Sequence, residues 1–209
     1  LSLCGVHEDG RIFLLYRVVG SGTAILSQMN RGESLSVLGP LGKGFRLPEK
    51  GERALLVAGG MGIAPLIFLG GKISTVLSGF YAGYGSSRDQ VPLVDLPMGD
   101  AKVSIVTEDG SAGHQGLVTD LLEAGLVRFP GGLPKVYACG PLPMLKAVSV
   151  ITGRKNIPCQ VSLEASMACG LGACQGCAVK IVGNRGTGYG HVCQDGPVFD
   201  AGLVDWEVL

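Results

Sequence analysis

The chain has 209 residues, 46% of them hydrophobic, enough to bury two or three compact modules but not to build a large multidomain enzyme. Lysine plus arginine and aspartate plus glutamate balance at 17 each, so there is no net field to hold polyanionic nucleic acid or an acidic membrane surface. Both partner classes are set aside.

The chain opens at Leu1 without an initiator Met, and no basic segment followed by an apolar stretch stands there. No signal peptide is expected, and the start reads as that of a fragment. Between residues 10 and 48, short β-rich runs such as Arg11–Val19 and Ser34–Leu38 alternate with Gly/Pro turns, the pattern of antiparallel strands in a small barrel or sheet. Residues 1–50 are thus expected to form a β module.

From Arg53 the texture changes. Continuous apolar runs at Leu55–Ala58, Val103–Thr107 and Val136–Ala138 alternate with helix-like spacing at Gly116–Ala124 and Met144–Ile151. This predicts a parallel α/β sheet covered on both faces over residues 51–155. The uncharged run Ala54–Gly71 is long enough to span a membrane, but Gly59, Gly60, Gly62 and Pro65 interrupt its middle. A buried strand, a tight turn and a helix start fit that pattern better, and no membrane span is expected.

Two turns in this segment invite a nucleotide. After the strand Leu55–Ala58, Gly60-x-Gly62-x-x-Pro65 would leave backbone N–H groups and a helix N-terminus facing outward, where a pyrophosphate could be received. It lacks the third glycine of the common dinucleotide fingerprint, and such turns also serve packing alone. After the strand at Val136–Ala138 comes a second glycine turn, Cys139-Gly140-Pro141. Both would lie at carboxyl ends of parallel strands, the edge where open α/β sheets bind ligands.

Residues 156–209 form a Cys- and Gly-rich tail, expected to be a third, small module. Cys169, Cys174, Cys177 and Cys193 stand as C-x4-C-x2-C-x15-C. Four thiolates are the complement a [2Fe–2S] cluster needs, and the opening spacing is that of plant-type ferredoxins. The glycines between them let the loop turn tightly and bring N–H groups to the sulfurs. A structural zinc site would also use four thiolates, but its usual spacing has two short C-x2-C pairs, and only one is present. Disulfides would suit a small secreted scaffold rather than a chain with a substantial α/β core. Cys4 and Cys159 read as small buried apolar residues, and His7, His114 and His191 lack metal-ligand spacing and read as surface or structural.

Together these motifs carry a family resemblance. The Gly60/Gly62 turn and the Cys139-Gly140-Pro141 turn resemble the nicotinamide-binding domain of the ferredoxin–NADP reductase superfamily. Leu15, Tyr16 and Arg17 through Gly22 and Thr23 look like its FAD-binding segment. Ser162 through the cysteine loop, with His191-Val-Cys-Gln-Asp-Gly-Pro-Val-Phe-Asp200, closely resembles the electron-transfer subunit of NAD-dependent dihydroorotate dehydrogenase. Of that family's flavin-binding Arg-x-x-Ser motif only the end, Leu1-Ser2, could be present.

The resemblance implies a partial FAD-binding antiparallel β-barrel, a Rossmann-like NAD-binding sheet and a small [2Fe–2S] domain. It implies one cluster on the four cysteines, one FAD touching Ser2, Leu15, Tyr16, Arg17, Gly22 and Thr23, and NAD at Gly60, Gly62, Cys139, Gly140 and Pro141. Some of these have a plainer role available: Arg17, with Gly22 and Thr23, at a solvated strand edge, and Cys139 as a packing residue. Glu164 could shape the cluster's surroundings or be simply a helix first-turn carboxylate. It implies a cytoplasmic oxidoreductase of pyrimidine (UMP) biosynthesis, paired as a heterotetramer with an FMN-containing catalytic subunit that oxidises dihydroorotate. The small subunit of a bifurcating NADH-dependent ferredoxin–NADP oxidoreductase has a similar layout, but there an Asp generally stands where Cys169 stands here. A non-catalytic zinc-stabilised interaction module would leave the flavin- and nicotinamide-like segments without a purpose.

Overall fold

The computed structural model describes residues 1–93, 102–129, 131–183 and 186–209. The elements in chain order are β1 (Ser2–Val6), β2 (Ile12–Leu15), α1 (Ser21–Gln28), β3 (Glu52–Gly59), α2 (Ile63–Lys72), β4 (Leu77–Tyr84), β5 (Val103–Thr107), β6 (His114–Gln115), α3 (Val118–Val127), β7 (Leu133–Cys139), α4 (Leu142–Arg154), β8 (Cys159–Ser162), β9 (Ala178–Gly183), β10 (Gly186–His191) and β11 (Val198–Asp200).

The frame is a seven-stranded sheet of order β11-β8-β7-β3-β4-β5-β6, parallel except for β11, which runs antiparallel to β8. The middles of β3 (Ala54–Ala58) and β7 (Val136–Cys139) are apolar and buried at every position because both faces are covered. Ala54, Leu56 and Ala58 of β3 and Tyr137 and Cys139 of β7 pack with α2 on one side. Leu55, Val57, Val136 and Ala138 face α3 and α4 on the other. α2 begins where Gly62 ends the turn after β3, takes Pro65 into its first turn, where a missing N–H costs nothing, and buries Ile63, Leu66, Ile67 and Leu69. The Asp120 carboxylate accepts the Leu117 N–H at 2.8 Å and fixes the start of α3.

The sheet runs past the boundary expected at residue 155, since β8 and β11 extend it beyond β7. The cysteine-rich tail is therefore seated on the sheet: Cys177, Val179, Val192 and Cys193 share one apolar core with Leu145 and Val148 of α4.

The N-terminal segment differs from its sequence reading in three places. Ser21–Gln28, inside the stretch expected to hold antiparallel strands, forms helix α1, whose first turn is capped by the Thr23 hydroxyl. β1 and β2 form a two-stranded antiparallel hairpin, and the run expected as a strand to Val19 stops at Leu15. Ser34–Leu38 is not a strand: Leu35, Val37 and Leu38 stand 50%, 62% and 61% exposed, and no described strand lies beside them to take up their backbone bonds. An alternating pattern makes a strand only where a neighbour completes the ladder.

Candidate metal centre and nucleotide crevice

β9 and β10 pair so that His191 lies opposite Ala178. Cys177 immediately precedes Ala178 and Cys193 follows His191 by two, so the hairpin register itself brings them together. Their Sγ atoms are 3.3 Å apart, and both residues are buried. A turn in which the Asp195 and Gly196 N–H groups donate to the His191 carbonyl closes this end, with the Asp195 carboxylate accepting the His191 N–H at 2.9 Å.

The other two cysteines lie on the loop before the hairpin. Gly172 sits at φ +75°, a region L-residues rarely adopt, and a Cβ there would overlap the Gln194 side chain. So placed, its N–H donates to the Cys193 sulfur at 3.2 Å, while the Leu171 and Cys174 N–H groups both point at the Cys169 sulfur at 3.4 Å. The N–H groups of Cys174 and Leu171, with the neighbouring Cys174 thiol, draw the Cys169 thiol down to about 6. Cys177 is also lowered, chiefly by the Cys193 N–H, and Cys193 is raised by sharing a proton with Cys177 and by burial. Cys174 is exposed.

The four thiols thus fall into two pairs, Cys169 with Cys174 and Cys177 with Cys193. They are near enough that Cys169 acts electrostatically on Cys193. A [2Fe–2S] cluster held by four cysteines takes two thiolates on each iron and so needs two adjacent pairs. A single zinc ion would draw all four to one point. Donor set, pairing and N–H groups aimed at sulfur fit the cluster.

A second site lies at the carboxyl edge of the sheet. Strand order advances from β3 to β4, β5 and β6 in one direction and from β7 to β8 in the other, so the topology reverses between β3 and β7. Open α/β sheets bind ligands in the crevice at such a point, and both sequence-expected turns flank it. Gly62 is pressed onto the carbonyl of Cys139, and a Cβ on Gly140 would come within 2.9 Å of the Gly59 backbone. Gly60 adopts φ +52°. Cys139 ends β7 and is 2% exposed; burial pushes its thiol up to about 12, so it is a neutral packing group at neutral pH.

Sequence reasoning missed Met144. Its side chain lies over both turns, and a Cβ would stand 2.7 Å from its sulfur at Gly59 and 2.7 Å from its terminal methyl at Gly140. Its place one helical turn after Gly140 was the available signal.

The expected flavin residues are only partly assembled. Ser2 and Leu15 are register partners across the β1–β2 hairpin, and Leu15 packs against the α2-side core. Tyr16 is half-buried and Arg17 exposed, both beyond the end of β2. Gly22 lies in α1. The Thr23 hydroxyl accepts the N–H groups of Val19 and Gly20 at 3.0 and 3.2 Å and donates to the Gly20 carbonyl, which caps α1. Glu164 is exposed on a segment without regular structure, so the short helix expected there is absent.

Comparison with known proteins adds three findings. The family model described as the iron-sulfur cluster binding domain of dihydroorotate dehydrogenase B matches residues 164–205. The electron transfer subunit of dihydroorotate dehydrogenase B (NAD(+)) from Caldanaerobacter subterraneus subsp. tengcongensis is 45% identical over 192 residues, covering 92% of this chain and 74% of the relative. That from Bacillus caldolyticus is 42% identical over 214 residues, covering 98% and 78%. A solved structure of an NADH-dependent reduced ferredoxin-NADP oxidoreductase, reported for flavin-based electron bifurcation, superposes with a TM-score of 0.77 at 26% identity, over 99% of this chain and 79% of that one.

Proposed function

This chain belongs to the family of electron transfer subunits of dihydroorotate dehydrogenase B (NAD(+)), and from that premise we propose that it carries electrons between a dihydroorotate-oxidising catalytic subunit and NAD⁺. The observation that carries the reading is the sorting of four thiols into two adjacent pairs with backbone N–H groups aimed at their sulfurs.

In this reading Cys169, Cys174, Cys177 and Cys193 hold one [2Fe–2S] cluster. Ser2, Leu15, Tyr16, Arg17, Gly22 and Thr23 line the approach to one FAD, and Gly60, Gly62, Cys139, Gly140 and Pro141 receive NAD. When bound, the cluster passes single electrons and the flavin exchanges them for the hydride that a nicotinamide takes up. The chain's own contribution is to bind and orient. The turn after β3 offers N–H groups and the start of α2 to a pyrophosphate. The bare backbone of Gly62 and Gly140 lets the two turns pack closely beneath Met144, and the neutral Cys139 thiol neither gives nor takes a proton there.

Residues 1–50, 51–155 and 156–209 divide the work as flavin, nicotinamide and cluster segments. The catalytic partner carries FMN, two copies of each chain form a heterotetramer, and the complex works in the cytoplasm in pyrimidine (UMP) synthesis. Free thiols at Cys4, Cys139 and Cys159 suit such a reducing compartment. Among the described residues no helix is long and apolar enough to cross a membrane. Likeness to the bifurcating oxidoreductase supports a second reading as its small-subunit counterpart, but identity is higher toward the dihydroorotate dehydrogenase relatives, 45% against 26%.

The test is anaerobic purification with iron, sulfide and zinc analysis, then an electron paramagnetic resonance spectrum of the dithionite-reduced protein. Iron and sulfide in equal amounts, about two of each per chain, with a spin-half signal are expected for a [2Fe–2S] centre. Stoichiometric zinc without a signal would overturn the proposal.

A further inference from the structure

The two thiol pairs are supported unequally. Cys177 and Cys193 are held by the β9–β10 register and a shared core, whereas Cys169 and Cys174 sit on a loop open to solvent. Packing for that loop comes from a distant stretch of chain. Leu38–Arg46 has almost no regular structure, yet it is fastened along the cysteine module. Gly170, next to Cys169, lies beneath its leucines: a Cβ there would stand 2.9 Å from Cδ1 of Leu41 and 3.6 Å from Cδ2 of Leu38. One residue further, Gly42 abuts the Gly196 carbonyl, to which the Lys43 N–H donates, and Lys43 pairs with Pro197 in a parallel bridge. The strap then ends on the sheet. The Arg46 N–H donates to Oε1 of buried Gln160 at 2.9 Å, and the Arg46 carbonyl accepts the Tyr137 hydroxyl at 3.0 Å.

We propose that Leu41, backed by Leu38, is a positioning residue for the metal-binding loop: it covers Gly170 and holds the exposed Cys169–Cys174 half of the site in place. The inference rests on the proposed function in taking this loop to hold a cluster. An apolar cover at a metal site limits solvent access and fixes the ligands' backbone. Because Leu41 is 39% exposed, truncating it removes that cover without opening the core.

The experiment compares Leu41→Ala, Leu41→Met and, as a control in the exposed chain just before the strap, Leu35→Ala, each purified anaerobically with its partner subunit. Two quantities are followed, the loss of visible absorbance in air and hydrogen exchange at the Gly170–Gly172 amides. Leu41→Ala is expected to bleach about tenfold faster, the scale on which outer supports act at metal sites, with faster exchange in the loop and unchanged protection at Val179 and Val192. Leu41→Met and Leu35→Ala should match the parent. Bleaching and loop exchange in Leu41→Ala equal to the parent's would overturn the proposal, as would loss of protection throughout the chain. Should the parent contain no iron, the proposed function fails, while exchange at Gly170–Gly172 still reads the Leu41 contact by itself.

Discussion

Gly62 lies against the carbonyl of Cys139, so at that point the two turns at the topological switch of the sheet meet backbone to backbone. A methyl group at residue 62 has nowhere to go, because its neighbours are the Cys139 carbonyl and the Gly140 nitrogen rather than a flexible side chain. Gly62→Ala should therefore push β3 and β7 apart at their carboxyl ends, at a cost of about 1–3 kcal/mol as for other overpacked sites. We expect a lower midpoint in denaturant and a raised KM for NADH in flavin reduction, with the electron paramagnetic resonance signal intact. An unchanged KM would mean that the nicotinamide binds elsewhere.

Cys174 is exposed, and the hairpin and core that hold Cys177 and Cys193 do not depend on it. Cys174→Ser should fold, lose electron passage to the partner subunit and keep NADH-to-flavin reduction measurable. Stopped-flow flavin reduction, set beside the coupled assay with the partner, separates the two. Equal loss of both would sink the assigned division of labour.

In metal-free protein the Cys169 thiol is held near 6 by the Cys174 and Leu171 N–H groups, while Cys193 is raised above the ordinary thiol value. Iodoacetamide reacts with thiolate, so alkylation of Cys169 should rise through about pH 6 and that of Cys193 only above pH 9. The linkage has a definite sign. A thiol depressed by folding favours the folded state at pH above its unfolded value, and that advantage is lost as pH falls through about 6. Mass spectrometry of peptides alkylated across pH 5–10 reads both inflections; a single common inflection near 9 would refute the arrangement.

Below the sheet, at the amino ends of β3 and β7, Lys135 and Glu52 form an ion pair of 2.9 Å with side chains 9% and 14% exposed. Burial by itself would raise the Glu52 carboxyl, but the Glu49 N–H and Lys135 hold it below its ordinary value, so its contribution fades on acidification below the usual carboxylate range. Lys135→Met leaves the largely covered carboxylate without its partner and should cost about 1–3 kcal/mol. The double variant Lys135→Met/Glu52→Gln should recover part of that loss, measured by thermal unfolding. No recovery would mean that Lys135 matters through its packing alone.

The central strands β3 and β7 are legible in sequence because burial on both faces leaves an apolar run in each. β4 is not legible, since Gly79 and Gly83 interrupt its pattern. Those glycines are occupied sites in the fold: the Tyr81 ring fills the space at Gly79, and Val118 of α3 fills it at Gly83. The contact at Gly83 joins distant chain segments, and no local window contains it. Ser34–Leu38 misleads for the opposite reason, having strand chemistry with no partner strand beside it. At the candidate metal site, spacing points to four ligands. That they divide into an anchored pair and an open pair follows from the His191–Ala178 register, which appears only once β9 and β10 are paired.

Cys177 and Cys193 lie in the same core as Leu145 and Val148 on α4. Iron retention and the integrity of the helical layer are therefore not separate properties of this molecule. On heating, the visible colour and the far-ultraviolet helix signal should fade together, as one cooperative event in which the inorganic centre serves as a reporter dye for the packing of α4.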